Sequence, residues 1–131
     1  MILTLILTFV LLLIAALHLL WAIGYWFPIR DEAALVRAVV GAAGTRKMPG
    51  AVPCALVVVA LLFAVMCLWW PHSMARSLAL GSIGAVCVAR GAVAYAGFWR
   101  RLTPIEPFAT LDRRYYGPLC LLIGLGFWAA I

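Results

Sequence analysis

The stretch ILTLILTFVLLLIAALHLLWAI, Ile2–Ile23, decides the class of this protein. It carries no charged residue, and it exceeds the roughly 20 apolar residues that a helix needs to cross a hydrocarbon core about 30 Å thick. No Lys or Arg precedes it, and its apolar run is longer than that of a cleavable signal, so it is read as a permanent span. The whole composition agrees, with 68% hydrophobic and 11% charged residues. A soluble domain has about 45–50% and about 25%. So few polar side chains cannot cover a water-facing globule. The expected fold is all-α, with residues 1–131 forming a single membrane domain.

Three more runs follow. Val52–Trp70 and Ser77–Trp99 are long enough to span, the latter with Arg90 as its one charge. The last run, Tyr115–Ile131, contains Pro118, which fits best in a helix's first turn. A helix starting there would be too short to span, so the expected start is Asp112, a good N-cap, with a bend at Pro118. The expectation is a four-transmembrane-helix bundle with spans at 2–23, 52–70, 77–99 and 112–131, joined by long loops at 24–51 and 100–111.

The basic residues orient it. The first long loop carries Arg30, Arg37, Arg46 and Lys47, and the segment before span four carries Arg100, Arg101, Arg113 and Arg114. The short turn PHSMAR, Pro71–Arg76, has only Arg76. The positive-inside rule places both long loops in the cytoplasm and both termini on the outer side of the membrane. The net charge of +6 lies beside apolar runs, so the anionic partner expected is lipid headgroups rather than nucleic acid. Within the first loop, RDEAALVRAVVGAAG has an N-cap candidate in Asp31, apolar residues four apart, and glycines to stop a helix. It is read as an interfacial amphipathic helix between spans one and two.

Small residues also recur. Gly81, Ala85 and Ala89 are four apart, while Gly84 and Gly91, like Gly117 and Gly124, are seven apart. Such spacing lets helices approach closely in lipid. Packing within the chain and an interface with a second copy or another membrane protein both use it.

Ionisable residues inside spans are the candidates for function. On these boundaries Arg90 lies nine residues from the end of span three, roughly 13 Å deep, and His18 six residues from Gly24, roughly 9 Å deep. They are at similar depth on the same side. Trp21 and Tyr25 share the face of His18. Tyr95 and Tyr116 stand near the boundary, and Glu106 and Asp112 are the available counter-charges. Together these eight residues outline a pocket, cationic at its base and aromatic at its rim. Structural uses compete: a hydrogen bond from His18 to a neighbouring helix, Arg90 pinned to Asp112 or Glu106, and the rings as an interfacial belt. The four cysteines have no metal or redox spacing, and no metal or cofactor is expected.

Two stretches carry a resemblance: HLLWAIG, His18–Gly24, and FATLDRRYYGPLCLLIGLG, Phe108–Gly126. With four expected spans, they resemble DUF3995, a family of small bacterial membrane proteins. The resemblance is most specific at His18, Trp21, Gly24, Asp112, Arg113, Tyr116, Pro118, Leu119 and Cys120, and least so in the first loop. It implies a fold and a bacterial inner (plasma) membrane, and it carries no reaction. Three functions stand open. The first is binding or transport of a small anionic or amphipathic molecule, such as a lipid, quinone or aromatic acid. The second is an accessory subunit of a larger membrane complex. The third is a membrane enzyme using His18 as general acid/base, assisted by Glu106 or Asp112.

Overall fold

A computed structural model describes residues 1–131. It is all-α. Helix α1 covers Ile2–Ala22, α2 Glu32–Val39, α3 Ala51–Trp69, α4 Met74–Val93 and α5 Gly97–Leu102. The chain then runs helically without a break through α6 Phe108–Leu111, a π-helical turn Asp112–Tyr116, and α7 Gly117–Ala129. Helices α1, α3 and α4 are each long and apolar enough to cross a membrane.

The four long helices alternate in direction. The end with the Pro71–Ser73 turn also holds both termini and is called the turn end; the opposite end, with α2, α5 and α6, is the loop end. α1 packs along α3, and α4 along α7. One core joins both pairs: Leu7 and Leu11 of α1, Ala64 and Leu68 of α3, Leu80 of α4, and Ile123 and Phe127 of α7. Outside it the surface is apolar all round, with Phe9, Val59, Phe63, Val86 and Leu122 exposed. Only about a fifth of each long apolar helix is buried in the protein. Lipid is the solvent that such a surface fits, because helices satisfy their interior backbone groups themselves.

The two pairs pack differently. Where α4 meets α7 the contact surfaces are glycines. A Cβ on Gly124 would stand 2.7 Å from the Gly84 carbonyl and 2.9 Å from the Val88 nitrogen. One on Gly91 would stand 2.7 Å from the Gly117 carbonyl. The two seven-residue glycine pairs therefore face each other within one chain. Ala85 and Ala89, by contrast, are exposed.

Several boundaries differ from expectation. α4 stops at Val93 rather than running to Trp99, and α5 is a separate helix after the turn at Ala94–Ala96. Asp112 is not an N-cap: the helix starts four residues earlier, at Phe108, after Pro107. Pro118 has no N–H and crowds the carbonyl four residues back. The chain answers by widening the preceding turn, where Gly117 N–H reaches the Asp112 carbonyl. The irregularity is therefore a π-bulge before Pro118.

α2 forms as expected, with the Asp31 carboxylate accepting from Ala34 N–H at 2.7 Å. Its apolar side is spent on protein. Leu35 and Val36 are buried with Met48 against Trp21 and Trp26. Glu32 accepts from Met48 N–H at 2.9 Å. α2 thus folds over the loop end of α1 and α3. The second loop is tied to it by Ile105 N–H to the Gly41 carbonyl, 3.2 Å, and by the Tyr116 hydroxyl, which donates to the Ala38 carbonyl at 3.0 Å. Gly41 has φ +67° and a Cβ there would collide with the Phe108 ring, so only glycine fits this crossing.

Candidate functional site

The expected residues separate into two groups at the loop end. The first is centred on Asp112, which is fully buried. One carboxylate oxygen accepts from Arg90 at 2.8 Å. The other accepts from Arg100 at 3.0 Å and from Trp99 Nε1 at 2.9 Å. Arg100 also donates to the Ala109 carbonyl and reaches Thr103 Oγ1. The Arg90 guanidinium lies over the Trp99 ring, 5.3 Å from its centre. The π-bulge turns Asp112 inward, the turn after Val93 brings Trp99 and Arg100 back, and Arg90 comes from the last turn of α4. A buried carboxylate needs such a shell of charged and neutral donors.

The second group is a half-open groove of about 150 Å³ between α1, α3 and the end of α2. His18 and Trp21 line one wall, with Val39, Met48, Pro53 and Val57 opposite and below. His18 Nδ1 lies 2.8 Å from the Ile14 carbonyl. A carbonyl only accepts, so that nitrogen carries the proton. Nε2 is then the acceptor of the neutral ring, and it makes no bond within the chain. The Trp21 ring is 4.8 Å from the imidazole, fixed by its own bond to the Phe27 carbonyl at 2.8 Å.

The shared His18–Arg90 pocket is therefore corrected. The groove does not include Arg90, and its guanidinium is engaged by Asp112. Arg90 lies three residues from the end of α4 at Val93, not nine from the end of a helix reaching Trp99. The other expected members are dispersed. Tyr95 donates to the Arg113 carbonyl at 2.9 Å. Glu106 caps α6, accepting from Thr110 N–H and Oγ1, both at 3.0 Å. Tyr116 holds α2 as described, and Tyr25 is exposed with no side-chain bond. Neither Glu106 nor Asp112 bonds His18, so no carboxylate orients the imidazole.

Sequence reasoning passed over Trp99, Arg100 and Arg76 as site members. Arg76 left a signal. It sits in the first turn of α4, where the helix dipole disfavours a cation, so it needed a compensating neighbour. It has two: its Nη2 donates to the Ala130 carbonyl at 3.0 Å and the Leu68 carbonyl at 3.4 Å. These belong to the C-terminal ends of α7 and α3.

No curated protein and no solved structure matches the chain. The family DUF3995, described as a protein of unknown function, matches residues 11–127. That interval runs from the middle of α1 to Phe127 and takes in both the His18 groove and the Asp112 cluster. The protein is a member of the DUF3995 family.

Proposed function

We propose that this protein crosses the membrane four times and binds a small amphipathic molecule in the His18 groove, which opens at the cytoplasmic side. The unbroken helix from Phe108 to Ala129 serves as the fourth span, and the eight basic residues near the loop end orient it inward. α2 lies at the interface over that end, with Arg37 turned outward.

The observation that carries this reading is the free Nε2 of His18 in an apolar groove. A cavity of about 150 Å³ holds one benzene-sized ring. The walls are apolar apart from the imidazole, and the imidazole offers an acceptor. The ligand is therefore a ring or chain head bearing an O–H donor, with its apolar part leaving through the open side toward lipid. This favours a hydroquinone or phenol over an aromatic acid, because Arg90 is already neutralised by Asp112.

The test is a pair of probes that differ in that donor. A short-chain hydroquinone and its quinone are titrated into the purified protein in mild detergent, read by isothermal titration calorimetry in every variant and by the ¹⁵N shift of His18 Nε2 in the wild type. The hydroquinone is expected to bind about tenfold more tightly, one hydrogen bond's worth. His18→Phe should remove the difference. Equal binding of both probes to the wild type, or a preference that survives His18→Phe, overturns the reading.

A further inference from the structure

The turn end holds a second cavity, of about 200 Å³, on the outer side of α3 and α4. Its walls are Phe63, Met66, Cys67, Trp70, Ala75 and Ala79, all apolar, and its one polar member is Arg76. Arg76 is only 6% exposed. Its Nη2 serves two helix-end carbonyls, and its Nη1 lies 3.5 Å from His72 Nδ1. Its Nε is buried and has no partner. Neither ion pair in the structure involves Arg76; both use Asp112. A guanidinium this buried, without a counter-anion and with an unmade hydrogen bond, is costly to leave as it stands. Arg90 and Arg100 also have one unpartnered nitrogen each, but both have a carboxylate.

We propose that the turn end binds a membrane phospholipid, whose phosphate accepts from Arg76 and whose acyl chain lies in the groove along Phe63, Met66 and Ala79. Three features select this occupant. The donor is at the end of the helices, the part of a spanning helix that meets the headgroups, and Trp69 and Trp70 stand exposed beside it, as indoles do at that level. The N-terminus of α4 begins here, and its dipole adds to the attraction for an anion. The groove beneath is apolar and open to the bilayer, so it takes a chain rather than a free ion.

Native mass spectrometry of the protein in mild detergent tests this with three probes: phosphatidylglycerol, a diacylglycerol with the same chains, and inorganic phosphate. Phosphatidylglycerol should be retained one per chain, about tenfold better than diacylglycerol, the size of one charge-assisted hydrogen bond. Inorganic phosphate should not displace it. Arg76→Gln should abolish the preference between the two lipids. Ala75→Phe fills the mouth while keeping Arg76, and should weaken retention of both lipids. Ala75 is exposed, so this variant decides the matter if Arg76→Gln does not fold. Equal retention of diacylglycerol, displacement by inorganic phosphate, or undiminished lipid retention in Ala75→Phe overturns the proposal.

Discussion

The two ends of the bundle treat buried charge in opposite ways. At the loop end, two guanidiniums and an indole converge on Asp112, which comes from a π-bulge and is fully buried. At the turn end a single buried guanidinium meets the carbonyl ends of two helices and His72, and no carboxylate. Both arrangements tie helices together. The loop end ties α4, α5 and the α6–α7 run through a network whose members depend on one another. The turn end ties α3, α4 and α7 through one residue that borrows neighbouring dipoles. A network has a keystone whose removal strands its partners, and a single cap does not.

The sharpest way to break this comparison is to remove the keystone. Asp112→Ala leaves Arg90 and Arg100 facing each other without an anion, and leaves Trp99 Nε1 without an acceptor. Losing one partner of a buried pair costs about 3–5 kcal/mol. The thermal transition in detergent should fall steeply, and the variant should accumulate poorly in membranes. Asp112→Asn keeps acceptor oxygen and the shape, and should lose less. If Asp112→Ala melts like the wild type, the cluster does not organise the loop end.

A middle-sized effect is expected between the ends, where α4 and α7 are held at glycine distance. Gly124→Ala puts a methyl against backbone atoms of Gly84 and Val88. Backbone cannot swing aside, so the helices must part, at about 1–3 kcal/mol by analogy with overpacked cores. Gly81→Ala is the control. Its nearest neighbour would be a methyl of Ile131 at 3.9 Å, an ordinary contact, and its effect should stay within about 0.5 kcal/mol. Equal transitions for the two variants would show that the α4–α7 pair tolerates separation. The same glycines would then be free to serve a second copy.

Much of this was legible in the chain. Apolar length alone places α1 and α3 within a residue or two, and Asp31 and the glycines bound α2. The α4–α7 glycine spacing is visible too. What sequence could not give is where an apolar run turns. Gly91–Trp99 reads as uninterrupted span, yet the chain leaves the helix at Val93 and lets Trp99 and Arg100 reach back to Asp112. Hydropathy is blind to this, because Ala94–Trp99 is as apolar in a turn and short helix as in a continuous span. A third span drawn six residues too long sets Arg90 too deep and suggests a cavity shared with His18, whereas the competing expectation, Arg90 pinned to Asp112, is the one the structure forms. Asp112 reads as an N-cap because Pro107 looks like a loop residue, yet the helix starts directly after that proline and carries Asp112 in its interior.

The smallest effect expected, and the one that most sharpens the contrast, is at Arg76. Arg76→Leu deletes two hydrogen bonds to helix-end carbonyls, worth about 1 kcal/mol each. In protein stripped of phospholipid it also deletes a buried cation with no counter-anion, and replacing a buried charge by a well-packed apolar side chain is often neutral or favourable. The two changes oppose, so the net loss should be about 1 kcal/mol or less, well below that of Asp112→Ala. Thermal unfolding of both variants in one detergent makes the comparison. A loss at Arg76 as large as that at Asp112 would mean that Arg76 is also a keystone, holding α3 and α7 together through an anion still bound in the purified protein. Stripping phospholipid from the wild type should then lower its transition by the same amount. A small loss at Arg76, with the wild-type transition indifferent to delipidation, means that the turn end is held by its apolar core of Leu7, Leu80 and Phe127.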